Sequence, residues 1–331
     1  MTDAYDRVKG DEEHILKLAD GRQLAYACNG PRDAKTVIIF FAGLFSVGTA
    51  HQVPVPCADK NVLWIAPTLA GMGNSSSRDP KEAYHVVLAR DISALLKHFY
   101  PSDDYDALYV AGGSYGTVQA QMLYGAPYDL FPAGKKIAGC FLLAGFSPFK
   151  YDKNYTKALS WQNWMSVGPP SQMPFRMLQK VFKSAIGSKM GSVEGAKTFL
   201  DQTIFGKMSK NEKDEFAQYA ARKGFTVDEF IDRQARGAVK SSQNWDGFME
   251  VSDVLHSDWG FNPATLDDEH AQKPVLVVGS EHDELGGSNN AWLVANYKSA
   301  TEKTVPGGHL STLYYMDELW ADMFKLAEDA P

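Results

Sequence analysis

Short apolar runs alternate along the chain with stretches in which apolar residues recur every three or four positions. Four runs are continuous enough to be strands buried on both faces of a sheet: residues 36–41 (TVIIFF), 62–66 (VLWIA), 107–111 (ALYVA) and 137–144 (IAGCFLLA). Between the second and third runs, apolar residues from Leu88 to Phe99 follow helical spacing until Pro101 ends the pattern. This alternation predicts a mostly parallel, twisted sheet with helices on both faces.

The two ends of the chain extend the same pattern. Residues 15–18 and 24–27 flank the turn Ala19-Asp20-Gly21-Arg22 and predict an opening hairpin. Near the other end, the sequence predicts a strand at 274–279 (PVLVVG), a helix around 289–298 and a short strand near 303–305. A closing amphipathic helix is predicted from apolar residues at helical spacing: Leu313, Met316, Leu319, Trp320, Met323 and Phe324.

The middle of the chain lacks strong strand patterns. Residues 147–256 contain helical stretches rich in Trp, Met and Phe, interrupted by segments such as Gly168-Pro169-Pro170. We therefore predict a core formed by residues 1–146 and 257–331, with a helical cap inserted at 147–256.

Composition and charge narrow the class of protein. The chain has 331 residues, 44% of them hydrophobic, and a formal net charge of −7, which favours a globular protein and argues against a nucleic-acid partner. Three widely spaced cysteines give no metal-binding or disulfide pattern, which favours a reducing, cytoplasmic location. We also expect no metal and no cofactor. No apolar run is long enough to predict a membrane span. Oligomeric state is left open, with a homodimer as one alternative.

A candidate nucleophile follows the third buried run. Gly112-Gly113-Ser114-Tyr115-Gly116 matches G-x-S-x-G and lies between a predicted strand and a predicted helix, as a nucleophile elbow requires. The turn leaves no room for side chains two residues before and after the serine. It also directs Ser114 towards the positive end of the following helix. A Gly/Ser loop that merely caps a helix is the alternative.

Three further segments could complete a catalytic site. Leu44, after Ala42-Gly43, and Tyr115 could donate backbone N–H groups to an oxyanion. Asp283, after the strand at 274–279, could orient a histidine, with Glu281 and Glu284 as competing acids. His309, in a glycine-rich loop, is the candidate general base, and His282 is its main rival.

The order Ser114, Asp283, His309 resembles that of the α/β-hydrolase superfamily, in its capped esterase/lipase-like branch. The resemblance extends to the hairpin at 18–26, to 67–75 as the family's P-G-x-G-x-S loop, and to 258–261 before the acid-bearing strand. It implies an α/β-hydrolase fold and places the cap at the family's usual insertion site. One departure is Ala42-Gly43, where the family often has His-Gly, so the usual hydrogen-bonding support of that loop is lost.

The implied function is hydrolysis of an ester, lactone or related acyl bond of a small apolar or aromatic molecule, through an acyl-enzyme on Ser114. Side chains proposed to shape the pocket are Phe45, Met72, Trp161, Trp164 and Met165. Two alternatives stay open. The same triad could serve carbon–carbon bond hydrolysis, lyase or cyclisation chemistry, or the chain could be a non-catalytic small-molecule binding protein.

Overall fold

A computed structural model describes residues 7–8, 12–157, 159–283 and 289–330 of the chain. Its strands are β1 (Arg7–Val8), β2 (His14–Lys17), β3 (Gln23–Pro31), β4 (Thr36–Phe41), β5 (Leu63–Pro67), β6 (Ala107–Gly113), β7 (Ile137–Leu143), β8 (Val275–Ser280) and β9 (Ala300–Val305). Its α-helices are α1 (Val55–Asp59), α2 (Tyr84–Phe99), α3 (Gly116–Tyr124), α4 (Trp161–Val167), α5 (Met177–Gly187), α6 (Val193–Thr203), α7 (Lys210–Arg222), α8 (Val227–Ser241), α9 (Asp246–His256), α10 (Asp268–Ala271), α11 (Asn290–Asn296) and α12 (Met316–Glu328).

The strands form a single sheet in the order β1-β3-β5-β4-β6-β7-β8-β9, with β2 paired to β3. Strands β4 to β9 pair in parallel, whereas β1, β2 and β5 are antiparallel to β3. The predicted α/β-hydrolase fold, with a mostly parallel sheet flanked by helices, is confirmed. The buried strands are apolar on both faces because helices cover both sides of the sheet.

Two apolar clusters hold the helices against the two faces of the sheet. On one face, α2 and α3 pack through residues such as Leu88, Ile92 and Val118. On the other face, α12 packs Trp320 and Phe324 against the sheet. The closing element begins as a 3-10 turn, Ser311–Tyr315, and becomes α-helical only at Met316. Apolar residues three positions apart suit both geometries, so the sequence pattern did not separate them.

Between β7 and β8 the described chain is helical, from α4 to α9, with a third apolar cluster of its own around Phe205, Phe216 and Phe230. We call this helical part of residues 147–256 the helical insertion, and its action as a cap stays a prediction. It contacts the core at Gly71, whose carbonyl accepts from the Gly247 N–H at 2.8 Å. None of the helices in the described chain combines the length and the apolar character needed to cross a bilayer.

Candidate active site

The Ser114 turn has the backbone geometry of a nucleophile elbow. Strand β6 ends at Gly113 and α3 begins at Gly116, so Ser114 lies in the short connection between them. Its φ of 51° is in the left-handed region, which costs a non-glycine residue about 1–3 kcal/mol. Three hydrogen bonds hold this conformation: the Ser114 N–H donates to Leu143 O at 2.8 Å, and Ser114 O accepts from Thr117 Oγ1 at 2.6 Å and from the Thr117 N–H at 3.1 Å. Such strain at a defined side chain is typical of a functional position.

The two glycines of the motif are required by close backbone packing. A Cβ at Gly112 would lie 2.2 Å from Gly116 O, and one at Gly116 would lie 2.1 Å from Phe41 O. Both distances are far below contact distance and both involve backbone atoms. The sequence argument for glycine at these positions is therefore confirmed by the packing.

Asp283 and His309 form a buried pair. His309 Nδ1 lies 2.8 Å from Asp283 Oδ1 and 2.9 Å from Asp283 Oδ2. The aspartate side chain is 3% exposed and the histidine side chain 19% exposed. In a neutral imidazole, a ring nitrogen that donates to a carboxylate leaves the other nitrogen, here Nε2, as the one able to accept a proton.

The rival residues are placed differently. Glu281 and His282 are exposed, and Glu284 lies outside the described residues. The Glu281 and His282 backbone N–H groups donate to Val305 O and Gly307 O, each at 3.0 Å. The rival positions therefore tie the loop carrying the acid to the loop carrying the histidine.

The candidate oxyanion donors flank the serine. Neither the Leu44 N–H nor the Tyr115 N–H donates to an acceptor in the described parts of the chain. The neighbouring Gly43 lies against Ser114, since a Cβ there would be 3.3 Å from Ser114 Cβ and 3.9 Å from Ser114 Oγ. Two unengaged N–H groups near the serine are what an oxyanion site needs.

Sheet topology brings these segments to one edge. Ser114 follows β6, Asp283 follows β8, His309 follows β9 and Leu44 follows β4, and all four strands are parallel. Their carboxyl ends meet at the same edge, where ligands bind in open α/β sheets. Within the described residues, the hydrogen bonds do not include one between Ser114 Oγ and the His309 ring. Such contacts are often long in ligand-free enzymes.

A small cavity adjoins the Leu44 loop. Its lining combines three residues of the core with five of the helical insertion: Leu44, Phe45, Met72, Ser241, Ser242, Asn244, Trp245 and Phe248. The Phe45 ring lies 5.2 Å from the Phe248 ring and 6.3 Å from the Trp245 ring, measured between centroids. Phe45 also has a left-handed backbone, with φ of 57°.

The other proposed pocket residues lie elsewhere. Trp161 and Trp164 stack on each other with centroids 5.3 Å apart, and Trp161 is 72% exposed. Neither of them lines this cavity, nor does Met165, and their role in binding stays a prediction. Sequence reasoning missed Trp245 and Phe248, which were not distinguishable from the many other aromatic residues of the insertion.

Glu212 connects the helical insertion to the histidine loop. Its carboxylate accepts the Ser209 N–H at 2.8 Å in a capping box at the start of α7 and lies against Gly308, where a Cβ would be 2.5 Å from Glu212 Oε1. Burial opposes ionisation, but hydrogen bonds to the carboxylate outweigh it and lower the pKa of Glu212. The carboxylate is therefore charged at neutral pH and holds the residue next to His309.

The described residues give less support to a cysteine nucleophile or a metal site than to the serine site. Cys28, Cys57 and Cys140 are buried, and burial raises the pKa of the Cys28 thiol to about 11, which disfavours the reactive thiolate. Among the residues that the structure describes, no group of three or more His, Cys, Asp or Glu side chains could hold a metal ion.

Comparison with known proteins agrees with the fold. The model of the alpha/beta hydrolase family matches residues 38–322. A bromoperoxidase from Bacillus anthracis superposes with a TM-score of 0.60 at 14% identity, covering 96% of this chain and all of that one. A hydrolase from Pseudomonas aeruginosa PA01 gives 0.56 at 16% identity, covering 95% of this chain and 98% of that one. An esterase from Rhodococcus sp. ECU1013 gives 0.55 at 15% identity, with coverages of 95% and 98%.

These solved structures share little sequence identity with the chain, so their similarity supports the fold alone. No curated protein matches the chain. The family match spans most of the sequence, and the chain belongs to the alpha/beta hydrolase family.

Proposed function

We propose that this protein is a serine hydrolase that cleaves an ester, lactone or related acyl bond of a small apolar or aromatic molecule. The observation that carries the proposal is the buried Asp283–His309 pair at the same sheet edge as the strained Ser114 turn. Family membership supports a hydrolase. The serine at the elbow disfavours reactions that need a carboxylate nucleophile there.

The proposed reaction proceeds through an acyl-enzyme. His309 Nε2 takes the proton of Ser114 Oγ as the oxygen attacks the substrate carbonyl, and Asp283 stabilises the imidazolium that forms. The Leu44 and Tyr115 N–H groups donate to the oxyanion; loss of one such donor costs about 2.7–4 kcal/mol of barrier. His309 then protonates the leaving oxygen as its bond to carbon breaks. Water, deprotonated by His309, releases the acid and regenerates Ser114.

We further propose that residues 147–256 act as a cap that forms one wall of the substrate pocket. The cavity lining supports this, because Trp245 and Phe248 of the insertion face Phe45 beside the candidate oxyanion loop. Apolar walls of this kind favour an aromatic or aliphatic acyl or leaving group over a charged one.

The test compares the protein with Ser114→Ala. We expect the unmodified protein to hydrolyse p-nitrophenyl esters and to be labelled on Ser114 by a fluorophosphonate probe. The variant should lose both properties and keep its unfolding temperature. Labelling without ester turnover would favour another reaction of the same triad, and a folded protein that shows neither would favour a binding protein.

A further inference from the structure

The exposed apolar side chains of this protein are concentrated in one part of the helical insertion. Among the described residues, the large apolar side chains that are exposed are Ile15, Val55, Trp161, Met173, Phe175, Met177 and Val181. All except the first two fall within residues 161–181. Phe175 is 84% exposed and Val181 is 61% exposed. Scattered exposed apolar residues are ordinary, whereas a concentration of them marks an interaction surface.

The same stretch is strongly basic, although the whole chain is acidic. Between Asp152 and Glu194 the sequence contains no Asp or Glu, and its cationic residues are Lys153, Lys157, Arg176, Lys180, Lys183 and Lys189. This segment therefore carries six positive charges in a chain whose formal charge is −7. The sequence between Asp152 and Glu194 is therefore locally positive, although the chain as a whole is negative.

The turn before α5 holds Phe175 outward. Phe175 and Arg176 both have left-handed backbones, with φ of 60° and 53°. The Arg176 guanidinium is fixed from behind by Asp253 at 2.7 Å and by Glu250 at 3.6 Å. Two consecutive strained residues need such support. The anchored arginine thus maintains a turn whose phenyl ring contacts mainly solvent.

Helix α5 continues this surface. Met177, Lys180, Val181 and Ser184 are exposed and separated by three or four positions, which places them on one side of the helix. Lys180 forms no ion pair with a carboxylate in the described chain. We call Phe175, Met177, Lys180 and Val181 the basic apolar face.

We propose that the basic apolar face docks on the surface of an anionic lipid bilayer. Helices that lie in a membrane interface combine aromatic and aliphatic residues on one side with lysines nearby, as α5 does. The lysines would meet lipid phosphates and carboxylates while Phe175, Met177 and Val181 enter the headgroup region. Such docking needs no spanning segment.

A second copy of the chain is a less suitable occupant. A symmetric dimer through this face would place the same lysine-rich segment of both copies in contact, and like charges in contact repel. A negatively charged lipid surface satisfies the charge and the apolar side chains together.

The test is co-sedimentation of the full chain with vesicles. We expect binding to vesicles of phosphatidylcholine mixed with phosphatidylserine, weaker binding to phosphatidylcholine alone, and release by high salt. Lys180→Gln should reduce partitioning about fivefold. Phe175→Ser combined with Val181→Ser should reduce it about tenfold or more. Unfolding temperatures verify that these exposed substitutions leave the protein folded.

Matched controls are available outside the face. Val55 and Lys81 are also exposed, so Val55→Ser and Lys81→Gln should leave vesicle binding unchanged. Failure to bind the mixed vesicles would overturn the proposal, as would equal losses in the control variants. Self-association in the absence of lipid that Phe175→Ser abolishes would assign the face to a second copy instead.

Discussion

Gly43 and Ser114 approach each other so closely that backbone atoms decide the shape of the site. Ser114 adopts its left-handed conformation because Leu143 and Thr117 satisfy its backbone groups. Gly43 lets the Leu44 loop approach because it has no side chain to meet Ser114. The requirement for glycine at these places is visible in the sequence, since the G-x-S-x-G motif and the Ala-Gly pair each follow a buried strand.

Replacing Gly43 by alanine tests this close approach. The new methyl group would lie 3.3 Å from both Ser114 Cβ and Gly113 O, so the loop must shift and displace the oxyanion donor. We expect kcat for ester hydrolysis to fall about tenfold or more. Gly237→Ala is the matched control, because no atom lies within 4 Å of its Cβ position in α8. That variant should keep full activity and gain up to about 1 kcal/mol of stability.

The assignment of the acid is tested by paired amide substitutions. Asp283→Asn removes the charge that faces His309 and favours the wrong tautomer, so kcat should fall by about 10⁴. Glu281→Gln changes an exposed side chain two residues away and should leave kcat nearly unaltered. Steady-state kinetics of the two variants test the assignment. Comparable losses of kcat would contradict the role given to Asp283.

The identity of the pocket residues could not be obtained from sequence alone. Ser114, Asp283 and His309 each follow a strand, so the strand pattern fixes their edge of the sheet. Trp245 and Phe248 meet Phe45 only through packing of the insertion on the core. No local pattern separates them from Trp161 and Trp164, which stack on each other away from the cavity.

At the level of elements, the opening hairpin is fastened to the first long helix by an ion pair. Arg22, in the turn between β2 and β3, bonds both carboxylate oxygens of Asp91 in α2. The two side chains are 14% and 7% exposed. The sequence predicts the hairpin from its turn residues and the helix from its apolar spacing. It does not predict this connection, because the partners lie 69 positions apart.

Replacement of Arg22 should therefore lower the free energy of unfolding. Arg22→Met leaves Asp91 buried without its main cation, and we expect the free energy of unfolding in urea to fall by about 3 kcal/mol. Arg22→Met combined with Asp91→Leu should recover part of that loss. Lys97→Met is the control, because its pair with Asp103 is exposed and such pairs contribute about 0–1 kcal/mol. A double variant no more stable than the single one would contradict this account.

Across the whole molecule, several charged contacts join the helical insertion to the core, including Lys223 with Asp317 and Lys240 with Glu13. Arg78, in the loop after β5, pairs with Glu250 of α9 at 2.9 Å, and both side chains are buried. The Glu212 carboxylate lies against Gly308 of the His309 loop, where a Cβ would be 2.5 Å from its Oε1. These contacts join segments far apart in sequence, so only the folded chain reveals them.

The lowered pKa of Glu212 predicts that its contribution to the stability of the fold depends on pH. The pKa of Glu212 is lowered in the folded protein, so its carboxylate stabilises the fold above the ordinary pKa of glutamate, and this stabilisation disappears as pH falls through the lowered value. Glu212→Gln should lower the unfolding temperature at neutral pH, and the difference from the unmodified protein should shrink in acid. Because Gly308 adjoins His309, kcat should also fall severalfold.

Glu229→Gln provides the matched comparison. Glu229 occupies the same capping-box position at the start of α8, with Thr226 as its partner, and its pKa is also lowered. Thermal unfolding should respond to pH in the same way, but ester turnover should stay unchanged. If both variants lose turnover equally, the contact with Gly308 has no role in positioning the histidine.

The helical insertion lies between two strands that are neighbours in the sheet, β7 and β8, so its length and shape can vary independently of the strand order. These two strands are direct neighbours, with Leu143 opposite Val278, and the entire insertion leaves the sheet from one and returns to the other. The two ends of the insertion also lie side by side, because the Phe149 ring is 5.2 Å from the His256 ring between centroids, so a module of different length or shape could be grafted between them without altering the strand order. On the proposed function, we expect exchange of that module to change the substrate range while Ser114, Asp283 and His309 keep their places on the sheet.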